Sequence, residues 1–128
     1  MISVDDFCSV EGVPTYLQMI RHVKQGLAAG TVQNGDELPS RRILSATLAV
    51  NPNTVQKAYR QLEEEGLIQS RPGAGSHITA SSGQVEHIRQ ELFHTEVQET
   101  VAAMKRMGLK KEEAVELLRR LYDDEEEG

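Results

Sequence analysis

Between Asn51 and Gly66 the apolar residues repeat with the period of an α-helix, which constrains the fold more than any other feature of this 128-residue chain. Apolar positions at i, i+3, i+4 and i+7 predict a helix with one buried face. Asn51 can cap the free N–H groups, and Pro52 at the first helical position loses nothing by lacking its own. Gly66 ends the helix. The residues of the stripe are Val55, Ala58, Tyr59 and Leu62.

The opposite face of this helix is polar, and its charge is uneven along the axis. A rotation of about 100° per residue places four polar side chains on or near that face, namely Asn53, Gln56, Lys57 and Arg60. The acids of 63–65 all fall in the last turn. A helix that reads DNA docks its N-terminal residues against base edges, and here that end is neutral or basic. The pattern favours a recognition helix; an ordinary amphipathic helix with a solvated face is the alternative.

Two further helices are predicted upstream. Arg41 and Arg42 open a short one, and the small-residue turn Ala49-Val50 permits the close approach that a helix-turn-helix needs. The apolar residues that can pack it against the next helix are Ile43, Leu44 and Leu48. A first helix is expected from Pro14 to Ala29, ended by Gly30. Its inward stripe is Tyr16, Ile20, Val23 and Leu27.

A β-hairpin is predicted after Gly66. Leu67–Arg71 and Ser76–Thr79 have strand character, and Pro72–Gly75 forms the turn between them. The two glycines of the tip have no Cβ, so the backbone could lie close to a phosphodiester or in a minor groove. Arg71 and His77 flank the tip. A surface hairpin without a ligand is the alternative interpretation.

These segments resemble the N-terminal winged-helix domain of the GntR family of bacterial transcription regulators. The resemblance runs from Tyr16 to Ile78, and the short chain resembles the family's YtrA-like branch. The matching segments, in chain order, are Pro14–Gln18, Gly35–Arg42, Val50–Val55, Lys57–Tyr59, Leu62-Glu63, Glu65–Ile68 and Gly73–Gly75. Seven matches in a fixed order over about half the chain are a specific signal.

The resemblance implies a DNA-binding surface made by the Ser-Arg-Arg position, the start of the recognition helix and the wing tip. The residues at those positions are Ser40, Arg41, Arg42, Asn51, Asn53, Thr54, Gln56, Lys57, Arg71, Gly73 and Gly75. Two positions depart from the family pattern. Ser45 stands where a small apolar residue is usual, and His77 stands where an aromatic residue is common. Both concern packing of the core or the wing, so the binding class is retained.

Composition agrees with a regulator of this class. The net charge is −6, but residues 1–80 carry seven basic and eight acidic residues, whereas residues 81–128 carry seven and twelve. DNA affinity follows the local patch rather than the sum. No apolar run approaches the roughly 20 residues of a membrane span, and no signal peptide opens the chain. The single cysteine, Cys8, suits a reducing compartment. We therefore expect a cytoplasmic protein without a membrane partner.

A helical appendage is predicted after the linker Ser81–Gly83. One helix runs from Gln84 to Met107 and a second from Glu112 to Tyr122, with Gly108 between them. The first helix has two apolar faces rotated by roughly 100°; one holds Val85, Ile88 and Leu92, and the other holds Phe93, Val97, Val101, Met104 and Met107. The last helix can cover one face, and the winged helix or a second subunit can cover the other.

An appendage of this size has too little core to stand alone, which favours a dimer. The predicted interface consists of Phe93, Val97, Val101, Met104, Leu117, Leu118 and Leu121. The fold class is thus mainly α with a small β-wing: a winged helix-turn-helix domain at 10–80, a helical dimerisation appendage at 84–122 and an acidic disordered tail at 123–128.

The expected function is a homodimeric repressor on a palindromic DNA operator, which the YtrA-like resemblance links to transporter genes. A small-molecule effector is left open, and no cofactor is expected. One alternative is a winged helix used for protein–protein contacts. Another is a metal-responsive regulator using His87, Glu91 and His94, whose i, i+4, i+7 spacing can place ligands on one helical face. No catalytic triad or nucleotide-binding loop is present, so an enzyme is not expected.

Overall fold

The computed structural model describes residues 15–73 and 75–127 and confirms a winged helix followed by a helical appendage. Its elements are α1 (Tyr16–Ala29), α2 (Arg41–Leu48), α3 (Pro52–Glu64), β1 (Ile68–Arg71), β2 (Gly75–Ile78), α4 (Ser82–Arg106) and α5 (Lys111–Glu127). Cys8, the predicted helix start at Pro14, the beginning of the predicted domain at residue 10, Ala74 of the wing turn and Gly128 lie outside the described residues. None of the described helices is long and apolar enough to cross a bilayer.

Helix α1 begins with a capping box. The Thr15 hydroxyl accepts from the Gln18 amide at 3.2 Å, and the Gln18 side chain accepts from the Thr15 amide at 2.8 Å. Gly30, at φ +82°, ends the helix in the left-handed conformation. The predicted stripe is buried except for Tyr16, which is half-buried, and Met19 joins the core.

Helices α2 and α3 form the helix-turn-helix. Ala49 makes the turn at φ +55°, and the Val50 amide donates to the Ser45 carbonyl at 3.1 Å. Asn51 caps α3, as predicted, because its side chain accepts from the Asn53 amide at 2.8 Å. Helix α3 packs against both α1 and α2. Its predicted apolar stripe is confirmed, since Val55, Ala58, Tyr59 and Leu62 have no exposed surface.

A third extended segment, which was not predicted from the sequence, pairs with the wing. Strands β1 and β2 pair antiparallel, with Ile68 opposite Ile78 and Arg71 opposite Gly75. Residues 35–38 lie along the other side of β2, where Glu37 bridges to His77. The Leu38 amide donates to the Ser76 carbonyl at 2.9 Å. This pairing joins the wing to the residues that precede α2.

The first two turns of α4 belong to the winged-helix unit. The chain divides into two compact units between Gln90 and Glu91, inside α4 rather than at the predicted linker. Reciprocal hydrogen bonds between Ser81 and Gln84 start the helix at Ser82, so Ser82 and Gly83 are helical and not a linker. Ile88 is buried, and Arg89 donates to the Ala28 carbonyl of α1. These contacts explain why the boundary lies later than predicted.

The second unit contains the rest of α4, a turn at Gly108 (φ +78°) and α5. Helix α5 continues through the acidic residues to Glu127, so the described part of the predicted disordered tail at 123–128 is helical. Glutamate is a good helix former, and no glycine or proline interrupts the run before Gly128. Composition alone does not separate the two outcomes, because glutamate is common both in disordered segments and in helices.

Candidate nucleic-acid interface

The polar face of α3 is exposed, as its position opposite the core requires. Asn53, Lys57 and Arg60 are exposed, whereas Thr54 and Gln56 at its sides are half-buried. Asn51 uses its side-chain oxygen for the cap. The N-terminal half of α3 therefore presents neutral and basic groups to solvent, and the buried stripe fixes their direction.

Lys57 is held by an aromatic ring. Its Nζ atom lies 4.1 Å from the centroid of the Tyr16 ring, at the first turn of α1. A cation over a ring face is attracted by the ring quadrupole. Tyr16 was predicted as a core residue from its position in the α1 stripe, and the sequence carries no signal for this second role.

The two arginines at the start of α2 have different environments. Ser40 caps the helix, its hydroxyl accepting from the Ile43 amide at 3.1 Å, and Arg42 is exposed to solvent. Arg41 instead turns towards α3, where Nη2 lies 2.8 Å from Glu63 Oε1 and the guanidinium lies 5.0 Å from the Tyr59 ring centroid. Arg42 is therefore open to solvent, whereas Arg41 is held by neighbouring side chains.

Tyr59, in the buried face of α3, contacts the same region. Its hydroxyl donates to the Pro39 carbonyl at 2.6 Å, which fixes the segment that leads into α2. Burial raises the pKa of Tyr59 well above its ordinary value, against a smaller opposing effect of the Arg41 charge. The phenol thus stays neutral and keeps donating its proton.

The wing tip is exposed and its backbone is left-handed. Gly73 and Gly75 have φ values of +77° and +72°, and Arg71 faces solvent beside them. A Cβ added at Gly73 would meet no atom within 4 Å, so the position is open for the approach of another molecule. The conformation itself explains why glycine is found here.

Ion pairs offset part of the negative charge at the C-terminal end of α3. Glu63 is paired with Arg41, and Glu65 lies 2.8 Å from the Lys24 ammonium of α1. Two of the three acids that adjoin the basic surface are therefore paired with cations of the same unit. The position of these acids in the last turn is evident from the sequence, whereas their partners are not.

The metal-ligand hypothesis has no geometric support. Within 15–73 and 75–127, no three His, Cys, Asp or Glu side chains are grouped closely enough to hold a metal ion, so His87, Glu91 and His94 do not form such a group.

Comparison with known proteins identifies the class. The family model described as "Bacterial regulatory proteins, gntR family" matches residues 15–78, which span α1 to the end of β2. The chain belongs to the GntR family. As a family member it is a DNA-binding transcription regulator, and the predicted resemblance to the GntR family is confirmed.

GntR relatives extend the similarity into the appendage. The transcriptional repressor YtrA of Bacillus subtilis is 37% identical over 98 residues, covering 72% of this chain and 73% of the relative. The transcriptional regulator YhcF of the same organism is 34% identical over 103 residues, covering 80% and 85%. These GntR relatives are transcription regulators, a class distinct from enzymes.

Solved GntR structures share the architecture. A GntR family regulator from Listeria monocytogenes superposes with a TM-score of 0.72 at 27% identity, covering 89% of this chain and 98% of that one. A transcriptional regulator from Oenococcus oeni gives a TM-score of 0.65 at 29% identity, covering 90% and 96%. The matched regions include the helical appendage as well as the winged helix.

Proposed function

We propose that the protein is a homodimeric repressor that binds a palindromic operator, with α3 in the major groove and the wing tip against the adjacent backbone. The exposed polar face of α3, with Arg42 and Arg71 on neighbouring elements, is the observation that carries this proposal. Asn53 and Gln56 can bond base edges, while Arg42, Lys57 and Arg71 can bind phosphates. Repression is proposed by analogy with the relative that is described as the repressor YtrA.

The exposure of side chains in the described part of the second unit supports dimerisation. Between Glu91 and Asp124 no described side chain is buried. Val97 of α4 is 60% exposed and Leu121 of α5 is 51% exposed, although both lie in apolar stripes. Exposed apolar stripes of this extent mark an interaction surface, and a second copy of the same unit offers a matching one. Helix α5 leaves the α4 stripe exposed, so we assign both stripes to the dimer interface.

A two-fold protein reads two half-sites. The proposal therefore implies an inverted repeat with half-site centres about one or two helical turns apart. We further propose, from the YtrA-like similarity, that the controlled genes include transporter genes and that an effector can modulate binding. Because the target is chromosomal DNA, the protein would work in the cytoplasm.

The decisive experiment selects bound fragments from a random DNA library with the purified full-length chain, followed by footprinting of the enriched sequence. An inverted repeat protected on both halves is expected, and a promoter carrying it should be silenced in a reporter strain when the protein is present. Enrichment of no sequence above bulk DNA would contradict operator binding and favour a protein-binding winged helix. Activation of the reporter would contradict the repressor role but not operator binding.

A further inference from the structure

A hydrogen-bonded network joins the start of α2, the end of α3 and both strands of the wing. Glu63 Oε1 accepts from Arg41 at 2.8 Å and from the Ser70 hydroxyl at 2.6 Å. The Ser70 and Ser76 hydroxyls lie 2.8 Å apart, which extends the network from β1 to β2. One carboxylate therefore connects the recognition helix to the wing.

Arg41 is committed to this network by three contacts. Its guanidinium bonds Glu63, lies over the Tyr59 ring and approaches the Ser70 hydroxyl at 3.5 Å. Its Nε atom is buried and has no hydrogen-bond partner among the described residues. To reach a phosphate, the guanidinium would have to leave both the ring and the carboxylate. The Glu63 carboxylate would then lose its paired cation.

We infer that Arg41, Glu63 and Ser70 are positioning residues that set the wing against the recognition helix, and that Arg41 acts on DNA binding through this network rather than as a phosphate contact. The inference rests on the proposed function, because it concerns how the two DNA-contacting elements are held. Preorganisation increases affinity by reducing the ordering that binding requires. The wing is a two-stranded ribbon, which needs such support because an isolated hairpin is marginally stable.

The chain supplies a matched control. Glu63→Ala and Glu64→Ala remove the same charge from the same turn of α3, but the Glu64 side chain is exposed on the solvent face. Electrostatics alone predicts that both changes strengthen DNA binding equally. The network predicts that Glu63→Ala binds the selected operator about tenfold more weakly than Glu64→Ala, the equivalent of one or two hydrogen bonds. Ser70→Ala should also weaken binding, and Ser70→Thr, which keeps the hydroxyl, should restore it.

Salt dependence separates positioning from phosphate contact. Loss of one phosphate contact lowers the slope of log K against log salt by about one unit. Arg41→Ala is expected to weaken binding with an unchanged slope. Arg42→Ala, the comparison variant, should lower the slope. A slope lowered by about one unit in Arg41→Ala would overturn the inference, as would equal affinity of Glu63→Ala and Glu64→Ala.

A measurement without DNA keeps the inference testable if operator binding itself fails. Hydrogen exchange of the Leu38 and Ile78 amides, which hold the edge of the wing, reports how tightly the wing is held. Exchange should be faster in Glu63→Ala and Ser70→Ala than in Glu64→Ala in the full-length chain. Equal exchange in all three variants would overturn the network, whatever the protein binds.

Discussion

The ammonium of Lys57 on the exposed face of α3 lies 4.1 Å from the centre of the Tyr16 ring, which belongs to the first turn of α1. This contact connects a cation of the proposed DNA surface to a helix that otherwise contributes core. It also restricts a long, flexible side chain before DNA arrives, which reduces the conformational entropy lost on binding.

Replacement of Tyr16 should therefore affect DNA binding through Lys57. Tyr16→Phe keeps an aromatic face and should bind operator almost normally. Tyr16→Leu should bind about two- to fivefold more weakly, because binding must then order a Lys57 side chain that the ring no longer restricts, at a cost of about 0.5–1 kcal/mol. In a Lys57→Ala background Tyr16→Leu should not weaken operator binding further. Fluorescence anisotropy with an operator fragment measures the unmodified chain and the four variants. An equal effect of Tyr16→Leu in both backgrounds would show that Tyr16 acts independently of Lys57.

Arg42→Ala should weaken operator and non-operator DNA alike. Arg42 is exposed at the start of α2, where its guanidinium can bind a phosphate. The expected loss is about 1–3 kcal/mol, with a salt slope lower by about one unit. Isothermal titrations at several salt concentrations provide the slope. A loss confined to operator DNA would indicate that Arg42 reads a base instead.

The wing tip can be tested with two glycines of like conformation. Gly73 at φ +77° and Gly30 at φ +82° both leave open space for an added Cβ, but Gly30 lies at the end of α1. Alanine should destabilise the fold by about 1–2 kcal/mol at either position, because the left-handed conformation is strained. Only Gly73→Ala should weaken DNA binding in addition, by about fivefold, the value of roughly one hydrogen bond. Thermal melts and anisotropy separate the two effects, and equal affinities would remove the wing tip from the interface.

The sequence predicts the helices of the winged helix well because burial and capping are local in the chain. The stripe of α3 and its Asn51 cap follow from residue spacing alone, and both are observed. The pairing of residues 35–38 with β2 was not predicted, since the two segments are about 40 residues apart in the chain. A β-bridge of this kind depends on the tertiary fold rather than on local pattern.

The same limit applies to the candidate site. Arg41 and Arg42 are equivalent in the sequence pattern, yet a carboxylate and an aromatic ring on α3 draw one of them away from solvent. Periodicity assigns a residue to a face but does not say which neighbour meets it. The partners Glu63 and Tyr59 become visible when α2 and α3 are packed together.

Tyr59 predicts a pH dependence of stability. Burial raises the folded-state pKa above the ordinary value of 10.0, so folding favours the neutral phenol. The stabilisation is complete below pH 10 and is lost above it, by about 1.4 kcal/mol for each pH unit, because the unfolded chain ionises first. Tyr59→Phe lacks this loss but leaves the Pro39 carbonyl without its donor, at a cost of about 1 kcal/mol near neutral pH. Urea unfolding from pH 8 to 11 should show the two stabilities converging; parallel curves would contradict this account.

A charge placed in the apolar stripes of the second unit should split the dimer. Val101 and Leu118 are 41% and 42% exposed in the single chain, and the proposed interface would bury both. Glutamate at either position would leave an uncompensated buried charge, at a cost of several kcal/mol. Val101→Glu and Leu118→Glu should therefore sediment as monomers at micromolar concentration and protect single half-sites weakly. Leu17→Glu is the control, because Leu17 is an exposed apolar residue of α1 outside the stripes. If both variants remain dimeric, or if the unmodified chain sediments as a monomer, the appendage is not the dimer interface. Binding to an inverted repeat would then not depend on contacts between appendages.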